Sequence, residues 1–110
     1  MNTPARSLVP EQGATKHSLQ NGETLRALHG QPAIVVLLYD QDGADWYRAE
    51  VTYADGHEHT FTGFSWGYGG EGCRGLAEWA AVNTVPLHLG LIAALRNAGA
   101  AGEIWRWYRA

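Results

Sequence analysis

The sequence predicts an α+β domain: a small, mainly antiparallel sheet of about four strands with two consecutive helices packed on one face. Three observations predict it. Residues 33–39 (AIVVLLY) form an unbroken apolar run rich in isoleucine and valine, which suits a central strand covered on both faces. Residues 47–53 alternate apolar and polar up to Asp55-Gly56, a strong two-residue hairpin signal. From about residue 74, apolar positions recur at helical spacing, and Pro86 divides them into two helices.

The chain has 110 residues, 45% of them hydrophobic, enough for one domain with one core. Residues 1–17, small, polar and proline-bearing, read as a flexible N-terminal arm, and 18–110 as a single α+β domain. Eight Lys+Arg stand against eleven Asp+Glu, a net charge of −3, and Lys16 is the only lysine. A nucleic-acid binder would carry a basic stripe, so no nucleic-acid partner is expected. Cys73 is the only cysteine, which excludes an internal disulfide and a thiolate zinc cluster. Residues 1–11 hold two prolines and no long apolar run, unlike a signal peptide. Residues 79–95 lack Asp, Glu, Lys and Arg but contain Asn83, Thr84, Pro86, His88 and Gly90. They read as core helices rather than a membrane span, and a reducing, cytoplasmic setting is expected.

The elements follow in order. Residues 23–29 form a short helix closed by Gly30 and Pro32. After strand 33–39, Asp40-Gln41-Asp42-Gly43 is a turn. With Asp55-Gly56 as the hairpin loop, Ala54 pairs with His57, Thr52 with His59, Val51 with Thr60 and Glu50 with Phe61. One hairpin face then carries Tyr47, Ala49, Val51, Tyr53 and Phe64 toward the core. The other, more polar face carries Arg48, Glu50, Thr52, His57, His59 and Phe61 and is free to line a site. A helix over 74–83 places Leu76, Trp79, Ala80 and Asn83 at helical spacing. Thr84-Val85-Pro86 breaks it, and Leu87, Leu91, Ala94 and Leu95 share one face of a second helix that Gly99 ends. Residues 103–108 (EIWRWY) close the sheet, with Trp105 and Trp107 on one face and Ile104, Arg106 and Tyr108 on the other. If the tryptophans are not covered within one chain, they form the surface of a homodimer or higher homo-oligomer.

The densest chemistry lies in residues 64–74, FSWGYGGEGCR, where strand pattern gives way to helix pattern. Glycines let backbone N–H groups approach a ligand, and a helix start adds unpaired donors and partial positive charge. Together these cradle an anion, typically a phosphate. The candidate ligand site is Gly69, Gly70, Glu71, Gly72 and Arg74, with Trp66 and Tyr68 as walls or stacking platforms and Arg48 and His59 from the polar hairpin face. Glu71 repels a phosphate if it points inward. It can instead accept a ribose hydroxyl or favour the helix start. A strand-to-helix corner with Trp66 and Tyr68 plugging the core is the competing reading. No Gly-Lys-Ser/Thr follows, so a Walker loop is excluded, and no parallel βαβ unit surrounds the loop as a dinucleotide fingerprint requires.

Phe64, Trp66, Gly67, Tyr68, Gly69, Gly70, Gly72, Leu76 and Ala77 follow the pattern F-x-W-G-Y-G-G-x-G-P-x-x-L-A. In this stretch of about 14 residues the chain resembles a family of small bacterial and phage proteins catalogued only as a domain of unknown function. Cys73 stands where that family usually has proline. The resemblance implies that the loop is a real structural unit and carries no established activity. The phage setting it implies is compatible with a small, non-catalytic counter-defence protein.

The remaining constellations are thinner. Cys73 near a helix start is a nucleophile only if His57 or His59 reaches it, and the proline of the resembling family argues against required thiol chemistry. His57 and His59 with Glu50 fall short of a full metal set. Asp40, Asp42 and Asp45 lack the spacing and closing glutamate of a calcium loop. Arg106 and Arg109 interleave with Trp105, Trp107 and Tyr108 as in single-strand binders, but the basic cluster is small. No catalytic set, metal or cofactor is expected. The leading expectation is non-catalytic binding or sequestration of a small phosphate-bearing ligand, a nucleotide or ADP-ribose-like signal. An acidic inhibitor of a host defence protein is the alternative, and an uncharacterised enzyme ranks third.

Overall fold

The computed structural model describes residues 7–40, 46–96 and 101–110. The turn expected at Asp40-Gln41-Asp42-Gly43 (beyond Asp40), Asp45, and the helix end expected at Gly99 lie outside the described residues. The elements are α1 (Thr15–His29), β1 (Pro32–Asp40), β2 (Tyr47–Tyr53), β3 (Glu58–Phe61), α2 (Glu71–Val82), α3 (Leu89–Ala94) and β4 (Ala101–Tyr108). The strands form one sheet in the order β3-β2-β1-β4, and all neighbours run antiparallel. This is the expected α+β architecture, with the short helix expected over 23–29 extended into α1.

Val35 and Leu37 of β1, Ala49, Val51 and Tyr53 of β2, and Phe61 of β3 share one sheet face. Leu25 of α1, Leu76, Trp79 and Ala80 of α2, and Ile92 of α3 complete the core with them. All three helices therefore cover the same face. Trp105 and Trp107, opposite Leu37 and Val35, are half-buried and pack against this core. A register shift between Leu37 and Leu38 lets Ile104 join them, rather than share the opposite face with Arg106.

Helix α1 begins eight residues before the expected start. Its inward stripe is Thr15, Ser18, Asn21, Gly22 and Leu25. The spacing is helical, but most of the stripe is polar, so a hydrophobic-periodicity reading passes over it. Residues 7–17, expected as an arm, pack onto the domain: Glu11 is only 8% exposed and Thr15 is buried. Helix α3 is shorter than expected. Val85 and Leu87 are buried on the extended connection before it, and His88 caps it by accepting from Leu91 N–H at 3.2 Å.

The β2–β3 turn holds the principal correction. Tyr53 N–H donates to His57 O at 2.8 Å, and Thr52 pairs with Glu58, Val51 with His59, Glu50 with Thr60 and Ala49 with Phe61. The loop has the three residues 54–56, ending on Gly56 at φ 93°, not the two residues Asp55-Gly56. Asp55 favours this form by accepting from His57 N–H at 3.0 Å. A one-residue slip exchanges the faces of a strand. His59 and Phe61 therefore lie on the core side with Val51 and Ala49, and Arg48 lies on the other.

Candidate functional site

The glycine loop is tied into the core at its start. Trp66 is 1% exposed, edge-on to Tyr47 with ring centroids 4.9 Å apart. It is a core residue, not a stacking platform. Ser65 N–H donates to Gly72 O at 3.3 Å, and Gly67 N–H to Ile92 O at 2.9 Å. Beyond Gly67 the loop turns outward. Tyr68 is 51% exposed, its hydroxyl 2.9 Å from Ser65 Oγ, and its ring occupies the space a Cβ on Gly70 would need. Arg74 Nη1 donates to Gly69 O at 3.1 Å. Gly70 caps α2 without a side-chain bond. The N–H groups of Glu71 and Gly72, in the first turn, find no acceptor within the helix. Tyr68, Gly69, Gly70, Glu71, Gly72 and Arg74 thus meet at one helix end, while Trp66, Arg48 and His59 do not join them.

His59 belongs to a buried polar cluster that the sequence reading missed. Its Nε2 lies 2.6 Å from Glu11 Oε2. Asn21 Nδ2 donates to the same oxygen at 2.9 Å. Thr62 N–H donates to Glu11 Oε1 at 2.9 Å, as does the Ser18 hydroxyl. Burial opposes the Glu11 charge, but the donors from His59, Asn21, Ser18 and Thr62 outweigh it and hold the carboxyl below its ordinary value. Glu50, on the opposite sheet face from His59, cannot complete a shared metal set. His57 stacks on His29 at the hairpin tip, centroids 3.8 Å apart.

Cys73 is fully buried, its Sγ 3.7 Å from Ser65 Oγ; His57 and His59 are engaged elsewhere. Cys73→Ser is expected to cost about 1 kcal/mol and to leave any binding activity within a few-fold. Native protein should resist alkylation until it unfolds, which a thiol-titration time course with and without denaturant measures.

Arg109, a nucleic-acid candidate on sequence grounds, is committed to structure. Its Nε donates to Pro32 O at 2.8 Å and its Nη2 to Asn83 O at 2.7 Å, with the guanidinium 4.8 Å from the Trp107 ring centre.

A groove of about 710 Å³ lies elsewhere, between α1 and the C-terminal half of α2. A Cβ on Gly22 would lie 2.8 Å from Trp79 Cδ1, so the two helices meet closely at this point. Leu19, Ala27, Trp79 and Val82 form apolar walls, and Glu23, Arg26 and Glu78 stand around the rim. Among the described residues the Arg26 guanidinium makes no ion pair. Asn83, at the end of the groove, donates from Nδ2 to Trp79 O at 2.8 Å, leaving its buried Oδ1 without a partner. In the sequence, Leu19 and Arg26 sit on segments assigned to other roles, and only the fold brings them to Val82.

Among the described residues no helix is long and apolar enough to cross a membrane. The fold and these sites define a small α+β protein with helices on one side of an antiparallel sheet. Comparison with protein-family models, curated proteins and solved structures gives no match.

Proposed function

We propose that the protein binds a small phosphate-bearing ligand without transforming it, and that the α1/α2 groove receives it. The observation that carries this reading is an apolar groove with the Arg26 guanidinium, which makes no ion pair among the described residues, on its rim. A concave, mostly apolar site with few polar groups is the usual form of a small-molecule pocket. A nucleotide fits the chemistry: its ring lies against Trp79 and Val82, ring N–H groups donate to Glu23 or Glu78, and a phosphate pairs with Arg26.

A thermal-shift panel of nucleotides, nucleosides and inorganic phosphate tests this, because a ligand of the native state raises the melting temperature by mass action. A nucleotide is expected to do so, and Arg26→Ala should weaken it by about 1.5–3 kcal/mol, the range of a charge-assisted bond. Val82→Glu should block the groove. A panel without any shift would overturn the reading.

The N–H groups of Glu71 and Gly72, which have no acceptor within the helix, favour a second reading, in which the phosphate sits at the start of α2 beside Arg74. The two readings separate cleanly. If Arg74→Ala weakens the ligand and Arg26→Ala does not, the site is the glycine loop.

A further inference from the structure

The strand β1 is apolar on both faces, yet the helices cover only one. Val35 and Leu37 face the core, whereas Ile34, Val36 and Leu38 belong to the opposite sheet face and lie outside the core cluster; there Ile34 and Leu38 are half-buried and Val36, screened by its neighbours' side chains, is 7% exposed. An unbroken apolar strand is the pattern of a sheet buried on both sides. Among the described residues nothing but neighbouring side chains covers this stripe, and a cavity of about 560 Å³ opens over Ile34 and Val36.

The ladder fixes what flanks the stripe. Val36 lies between Arg106 of β4 and Glu50 of β2, and Leu38 between Glu103 and Arg48. Ile34 lies between Tyr108 and Thr52. In both charged rows the signs on the two sides are opposite. Arg48 Nε, moreover, is buried with no hydrogen-bond partner.

From this pattern we propose that the open sheet face is the interface of a homodimer, formed with a second copy of this chain about a two-fold axis running along β1. That axis exchanges the β2 and β4 sides while keeping each row in place. Ile34, Val36 and Leu38 then stack on their own counterparts. Within each copy Arg106 pairs with Glu103, so Glu50 and Arg48 of the other copy meet that pair, Glu50 beside Arg106 and Arg48 beside Glu103, and complete a four-charge network once on either side of the axis. Each contact is satisfied in both directions, as a two-fold interface requires. Sheets packed face to face keep their strands within about 30° of each other, which preserves these crossings. The half-buried Trp105 and Trp107 stay with the helices and take no part, and the α1/α2 groove, on the other side of the sheet, remains open in the dimer.

The test is sedimentation equilibrium over a concentration series, with circular dichroism as the check on folding. Wild type is expected to approach twice its mass of 12.0 kDa. Glu50→Arg and Arg106→Glu change exposed residues, so each should fold and each should be monomeric, because each puts like charges opposite each other on both sides of the axis. An equimolar mixture of the two variants should dimerise again, since Arg106 of the first meets Glu50 of the second and the introduced charges meet each other. A monomeric wild type across the series would overturn the proposal and leave the face to another partner. Single variants that stay dimeric, or a mixture that stays monomeric, would overturn it equally.

Discussion

Gly63→Ala is expected to destabilise the protein by about 3 kcal/mol, the upper range of core overpacking, and to loosen residues 7–14 from the sheet. A Cβ at this position would lie 2.3 Å from Ala14 O and 2.5 Å from Ala14 C. Those are backbone atoms, so no side-chain rotation relieves the clash. Gly63 N–H also donates to Ser18 Oγ at 2.8 Å, and Gly63 O accepts from Thr15 Oγ1 at 2.7 Å. Moving Ala14 away strains both bonds. In a domain of this size the loss corresponds to a fall in Tm of roughly 10–20 °C. Gly69→Ala is the control: a Cβ there meets nothing within 4 Å, and the change should be close to neutral. Denaturant unfolding of both variants, with limited proteolysis of the N-terminal segment, checks the pair. Equal stability of the two would mean that residues 7–14 do not rest on Gly63 as described.

The contrast between these glycines marks what the sequence reveals and what it hides. The glycine loop stands out as a string, and its position between strand and helix was legible. Yet Gly63, just before it, sits against another chain segment more tightly than Gly69 does, and no local pattern distinguishes the two. The same limit applies to α1. Its inward stripe of Thr15, Ser18 and Asn21 is helical in spacing but polar in content, so hydrophobic periodicity cannot find it. What makes it a buried stripe is Glu11, seven residues before Ser18 and packed beneath Thr62. Strand β1, the pairing of β2 with β3 and helix α2 were readable because their apolar positions repeat with the period of the element. The hairpin register was not, because Asp55-Gly56 serves both a two-residue loop and the last two positions of a three-residue one. That single residue decided which face His59 occupies, and with it His59 left the proposed ligand site for the core-side cluster. Trp66 was ambiguous for a different reason: an aromatic beside glycine walls a pocket or plugs a core with equal ease. The groove between α1 and α2 could not be read at all without the full extent of α1.

Glu11→Leu should be strongly destabilising. The carboxylate accepts from Ser18 Oγ, Asn21 Nδ2 and Thr62 N–H and lies against His59 Nε2. A leucine leaves the Ser18 hydroxyl, Thr62 N–H and one N–H of Asn21 without this acceptor. Leaving a buried donor without its acceptor costs about 1–3 kcal/mol, and several such donors together amount to a large fraction of the roughly 5–15 kcal/mol that stabilises an ordinary domain. Asn21 retains its bonds to Val9, whose N–H donates to Asn21 Oδ1 and whose carbonyl accepts from Nδ2, both at 2.8 Å. The N-terminal segment therefore loses only its inner anchor. The sign of the pH dependence follows from the folded-state shift. The Glu11 carboxyl is held below its ordinary value of 4.5, so the unfolded chain takes up this proton first as pH falls. The stability it contributes is complete above the unfolded value and is lost as pH drops through the lower, folded one. Glu11→Gln, which keeps the shape but removes the charge, should be less stable than wild type at neutral pH and should flatten the acid limb of the stability curve. Chemical denaturation of wild type and both variants between neutral pH and pH of about 3, below the ordinary carboxylate range, measures this. If Glu11→Gln shows the same acid limb as wild type, the buried carboxylate is not what acid titrates, and the exposed Asp55 and Glu103, also held low by their partners, would have to carry that dependence.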